Sequence, residues 1–168
     1  MCIGTAPIRK EESMTRYRAF KNFFLHLWGT LTHKGWVMVY LLRFCALLLW
    51  RGVIHDFSKL SPKEFSGFVK TIHRLKDSKY GSDEYKELLA IIKPSLDLHY
   101  AKNRHHPEYH KNGLQGMGLL DLVELHYDWK SATHRHKTGN MMKSIELNRK
   151  RFNMSEDLVN ILKETENG

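Results

Sequence analysis

Residues 35–50, GWVMVYLLRFCALLLW, constrain the chain more than any other stretch. A run this apolar must leave water, into a protein core or into lipid. Its 16 residues fall short of the ~20 that a spanning helix needs, and Arg43 sits at its middle. No small-residue cleavage site follows it; Arg51 and the pair His55-Asp56 do. The features predict the buried central helix of a cytoplasmic protein, with no membrane partner.

Helical signals continue on both sides. Phe20, Phe23, Phe24, Leu27 and Trp28 recur at three- and four-residue steps, predicting a helix over 15–29 before the apolar one over 33–51. Ser61, Pro62 and Glu64 read as a helix start, with Glu64 as the reciprocal cap. Ser82 with Asp83 and Glu84 opens another, which Pro94 should kink or split. Further helices are expected from Gly118 to about His136, from Met141 to Phe152, and after the cap Ser155. No stretch alternates in the strand manner for more than a few residues. The chain therefore reads as all-α, with residues 1–14 a flexible arm and 15–168 a single domain.

With 168 residues the chain is long enough for a core of its own. It holds 27 Lys+Arg against 18 Asp+Glu, a net charge of +9, which favours phosphate-bearing partners. Cys2 and Cys45 lie far apart, with neither metal-ligand spacing nor a disulfide framework. The aromatic residues fall at core spacing and make no stacking platform, so nucleic acid is not the favoured partner.

Among 11 histidines, spacing is more informative than number. His55 and Asp56 stand in the apolar context GVIHDFSKL, and an ionised carboxylate buried there needs an opposite charge. Lys59 shares their helical face, one turn on. His33 precedes them; His99 and the doublet His105-His106 follow in LHYAKNRHHPEY. Asp121, Glu124 and Asp128 lie at steps of three and four on one face of the long helix, so any of them can close such a site. Imidazoles and carboxylates from several helices are how helical bundles hold one or two divalent metals, with Zn, Fe, Mn and Ni the suitable ions. Arg149 and Arg151, in NRKRF, read either as a solvated surface or as a phosphate clamp at the mouth. His26 is expected to pack beside the aromatic residues of the first helix, and His73, His110, His126, His134 and His136 to lie on the surface.

The order His, His-Asp, His, Asp resembles the HD superfamily of metal-dependent phosphohydrolases. HDFSK is similar to the HD-x-x-K element of HD phosphodiesterases that hydrolyse cyclic dinucleotides, and HHPEY resembles their His-His-Glu element. HDFSKLSPKEF, NRHHPEY, LLDLVELHYDWKSAT and SIELNRKRFNMS together resemble a small group of HD-like proteins from bacteria and phages, over residues 30 to 165.

The resemblance implies an HD-like helical bundle with a metal site between its helices. It makes His33, His55, Asp56 and Asp128 the basic ligand set, with His99, His105 and His106 serving a second metal or the substrate phosphate. Lys59 matches the lysine that holds or polarises the phosphate, which makes Asp56 and Lys59 the catalytic pair. The expected cofactor is one or two ions of Mn, Fe, Zn, Mg, Co or Ni. The expected substrate is a nucleotide or cyclic dinucleotide phosphoester, and Lys59, Arg149 and Arg151 are the residues to meet it. Two other classes stay open: a di-iron oxygenase of HD type, and a basic protein that binds nucleotide or nucleic acid without cutting it.

Overall fold

A computed structural model describes residues 7–78, 81–135 and 138–167, with side chains described from Thr15 onward. It is all-α: seven helices joined by turns, and no strand among the described residues. The helices are α1 (Pro7–Ile54), α2 (Pro62–Val69), α3 (Ile72–Asp77), α4 (Asp83–Lys102), α5 (Leu119–Thr133), α6 (Met141–Phe152) and α7 (Glu156–Asn167). Short 3₁₀ turns lie at Phe57–Leu60, Pro107–Tyr109 and Gly113–Gly116. The chain divides into two compact units, Met1–Ala46 and Leu47–Gly168, rather than at residues 14 and 15. From Pro7 the expected arm is already helix.

In the first unit, the two helices expected over 15–29 and 33–51 are one. Gly29 and Gly35 weaken a helix without ending it, and no proline intervenes. Thr32 returns its hydroxyl to the carbonyl of Trp28 at 2.7 Å, the bond a helical threonine makes along its own helix. With no turn near residue 30, the apolar stretch cannot fold back on the helix before it. The expected burial is overturned: side chains from Tyr17 to Trp50 stand largely in solvent, Trp28 and Leu49 each 73% exposed.

The second unit begins with the last turns of α1, which Asp56 terminates in the left-handed conformation at φ 56°. Asp and Asn tolerate that conformation better than other side chains. α2 starts at Pro62 as expected, but Ser61 makes no side-chain cap and Glu64 turns inward. On α4, Ser82 does cap, accepting from the backbone N–H of Tyr85 at 3.2 Å. Pro94 lies inside α4, which runs on to Lys102.

The inner stripe of α4 is Leu88, Ile92, Ser95 and His99, at helical steps of three and four. A core of Ile145, Met154, Val159 and Leu162 joins α6 and α7. Trp129 of α5 packs against it, its ring stacked on Phe152 at 6.2 Å. α2 and α4 approach so closely that a Cβ at Gly67 would sit 1.9 Å from Ser95 Oγ.

Candidate metal centre

Three parts of the second unit supply the site. The end of α1 and its left-handed turn carry His55 and Asp56. The inner stripe of α4 ends on His99, and the turn after α4 carries His105 and His106 just before Pro107, which disfavours helix at the residue preceding it. The inward face of α5 carries Glu124 and Asp128. Two groups of ligand atoms result, each lying within 4.8 Å: Asp56, His99, His105 and His106, and then His55, His105 and Asp128.

Around Asp56 the atoms are close. Oδ1 lies 3.1 Å from His99 Nε2 and 3.4 Å from His105 Nε2, and His106 Nε2 lies 2.9 Å from His99 Nε2. Oδ2 lies 3.4 Å from His55 Nε2, which is itself 3.5 Å from Asp128 Oδ1. Every histidine in these contacts turns its Nε2 toward the centre.

In three of these rings the opposite nitrogen meets a carboxylate. His99 Nδ1 lies 3.1 Å from Glu64 Oε2, His55 Nδ1 2.9 Å and His105 Nδ1 3.2 Å from Glu124 Oε1. A carboxylate behind Nδ1 keeps the proton there and leaves the Nε2 lone pair facing inward, the arrangement that orients metal-binding histidines. Glu124 is steadied in turn by Arg51 Nε at 2.6 Å. Ser58 donates to Glu64 at 2.9 Å, and Asn103 donates to Ser58 at 2.8 Å and to the His99 carbonyl at 2.7 Å.

Two atoms at the centre, Asp56 Oδ1 and His105 Nε2, are buried without a hydrogen bond. Buried polar atoms are rarely left so, and these two face one another in a ring of nitrogen and oxygen donors. The donor set fits a divalent cation of the Zn, Fe, Mn or Ni kind.

The charges fit as well. Burial pushes the Asp56 carboxyl up, but the facing imidazoles of His105, His55 and His99 outweigh it and hold the group far below the usual carboxylate range. Burial likewise opposes ionisation of Glu124, which His105 and His55 bring down to about 2. Asp128, then Asp56 and Glu124, push His55 up to about 11. Burial and the neighbouring His105 and His99 push His106 down to about 3, which keeps its imidazole neutral. Ionised carboxylates thus surround His55, which holds its proton where a cation would sit.

Seven sequence-chosen residues therefore meet: His55, Asp56, His99, His105, His106 and Asp128 at the centre, and Glu124 directly behind it. Lys59 joins them through an ion pair with Asp56 Oδ2, its ammonium also 5.6 Å from the centroid of the Phe68 ring. His33 does not join. It is exposed, about six turns before His55 on one continuous helix, and two such residues cannot reach one ion. Asp121 also stands outside, held by Arg51 at 2.5 Å and Arg104 at 3.4 Å.

The two arginines part company. Arg149 pairs with Glu156 at 2.5 Å and has no contact with the cluster. Arg151 pairs with Glu108 at 2.6 Å and lies 5.6 Å from the Tyr100 ring, whose centroid is 4.6 Å from that of His106.

Other histidines correct the expectation of a surface role. His126 is buried, its Nε2 2.8 Å from Glu166, and His110 is half-buried with Nε2 2.8 Å from the Arg104 carbonyl. His73 and His134 are exposed, and so is His26, while His136 lies outside the described residues. Glu64 is not a cap but the partner of His99 Nδ1, a role that its position in a helix start conceals in the sequence. Ser58 and Asn103 carried no signal at all.

Residues 23–167 match a family of unknown function, DUF5662, and the chain belongs to it. No curated protein and no solved structure matches the chain.

Proposed function

We propose that the second unit is a metal-dependent phosphohydrolase acting on a nucleotide or cyclic dinucleotide phosphoester. One observation carries the reading: imidazole Nε2 atoms and Asp56 converge on a common point, while Glu64 and Glu124 hold the Nδ1 side of three of the rings. The likeness of HDFSK and HHPEY to HD phosphodiesterases supports the phosphoester substrate, and the net charge of +9 favours an anionic one.

Asp56, His99, His105 and His106 would hold one divalent ion, and His55 with Asp128 a second. Such ions supply a water acidified toward neutral pH and a positive charge at the attacking and leaving oxygens. The chain does the rest. Glu64 and Glu124 fix ring orientation, so the site is set before substrate arrives. Lys59, on the Asp56 carboxylate, offers its ammonium to a phosphoryl oxygen as charge develops there. Arg151, beside Tyr100 at the edge of the cluster, serves as the outer phosphate contact; Arg149 does not.

The test is elemental analysis of the purified chain, followed by phosphate release over nucleotides and cyclic dinucleotides with and without chelator. Metal-dependent release is expected. Lys59→Ala should keep its metal and lose turnover, since the contact strengthens in the transition state. Turnover that requires O₂ would replace this reading with an oxygenase, and nucleotide binding indifferent to chelation would replace it with a binding protein.

A further inference from the structure

The surface of α1 calls for a partner, and its chemistry says which. Residues 36–42, Trp-Val-Met-Val-Tyr-Leu-Leu, are each exposed, from Val37 at 42% to Tyr40 at 63%. Seven successive residues make two helical turns, so apolar side chains face every direction around the axis. A second helix or a protein groove covers one stripe of a helix; a helix that is apolar all round belongs in a core or in hydrocarbon. No core covers this one, and the most apolar part of α1 is unburied throughout.

Length and flanks agree. Residues 31–50 make about 30 Å of helix, the thickness of a bilayer's hydrocarbon layer. Arg51 follows, held in the second unit by Asp121 and Glu124, and marks the end of the stretch. At the other end come Thr32, His33 and Lys34, then a segment with Arg9, Lys10, Arg16, Arg18 and Lys21 against Glu11 and Glu12. That excess of positive charge complements anionic headgroups. Arg43 is the one charge within residues 35–50, and its long stem must carry the guanidinium toward the interface.

We infer that α1 is a membrane helix: residues 31–50 seat in an anionic phospholipid bilayer, and His55, at the end of the same helix, is carried at the bilayer face. The exposure of residues 35–50 removes the basis for expecting no membrane partner. The inference is independent of the reaction proposed above.

Cys45 is exposed in the middle of the stretch and reports directly on it. The full chain carrying Cys2→Ser is expressed, reconstituted into phosphatidylcholine–phosphatidylglycerol vesicles, floated, washed with alkaline carbonate and treated with a polar maleimide. The chain should float, survive the wash, and leave Cys45 unlabelled until the vesicles are dissolved. Val39→Asp with Leu42→Asp should abolish flotation and leave metal content intact, and Arg43→Leu should hold the chain at least as firmly. Release by carbonate, or labelling of Cys45 in intact vesicles, would overturn insertion. So would a chain that stays in solution as a dimer with Cys45 protected, which would make a second copy the cover of α1.

Discussion

His99 Nδ1 lies 3.1 Å from the carboxylate of Glu64, and both side chains are fully buried. Each is a costly group to bury, and each is the other's answer. The pair also aims His99 Nε2 at Asp56. Glu64→Gln keeps the volume but removes the charge that orients the ring, so metal affinity should fall 10–100-fold, the usual effect of losing such a partner. Competition with a chromogenic chelator measures it; unchanged affinity would mean that Glu64 merely fills space.

Asp56 combines a left-handed backbone with a buried charge. Asn tolerates that backbone too, so Asp56→Asn tests the charge without disturbing the turn. The variant should lose most of its metal, and its melting temperature should no longer rise when metal is added. Asp56→Ala should be less stable still, because alanine is strained at positive φ. Calorimetry with and without metal separates the two effects.

His33 and His106 make opposite predictions. His106→Ala should lower metal content, because its neutral imidazole faces His99 at the centre. His33→Ala should leave it unchanged. A loss of metal in the His33 variant would require α1 to break and fold back, contrary to its unbroken course from Pro7 to Ile54.

Asp121 links stability to acid. Burial raises its carboxyl pKa, but hydrogen bonds from Arg51, the Gly118 backbone and Arg104 outweigh this and hold it below the ordinary range. A depressed value means that the stabilisation is fully present above the unfolded pKa of ~3.9 and drains away as pH falls through the folded value. Between pH 5 and 3, on the order of that window, the melting temperature of chelated wild-type protein should fall more than that of Asp121→Asn. Equal slopes would place the acid-labile group elsewhere.

Gly67 tests the contact of α2 with α4. Its missing Cβ would lie 1.9 Å from Ser95 Oγ and 2.7 Å from Ser95 Cβ. Gly67→Ala should destabilise the fold by about 1–3 kcal/mol, the usual cost of overpacking. Ser95→Gly in the same chain should recover part of that cost, and urea titration of both variants reads the difference.

Caps, prolines and periodicity act over one or two turns, so the helical class and the starts of α2, α4, α5, α6 and α7 are set by the amino-acid sequence. It also determined most of the centre: His55-Asp56 in an apolar context, His105-His106 before Pro107, and carboxylates spaced along one face of α5. The choice among those carboxylates came from the fold, which gives Asp121 to Arg51 and Arg104, Glu124 to the backs of two imidazoles, and Asp128 to the centre. The fold decided equally that Glu64 orients His99 and that His126 is buried against Glu166. Spacing assigns a face of a helix, whereas partner choice depends on which cation stands opposite, and those cations lie on other elements. The course of α1 was the other open matter: nothing between residues 29 and 35 obliges a helix to stop, and whether it does decides both the exclusion of His33 and the exposure of the most apolar stretch in the chain.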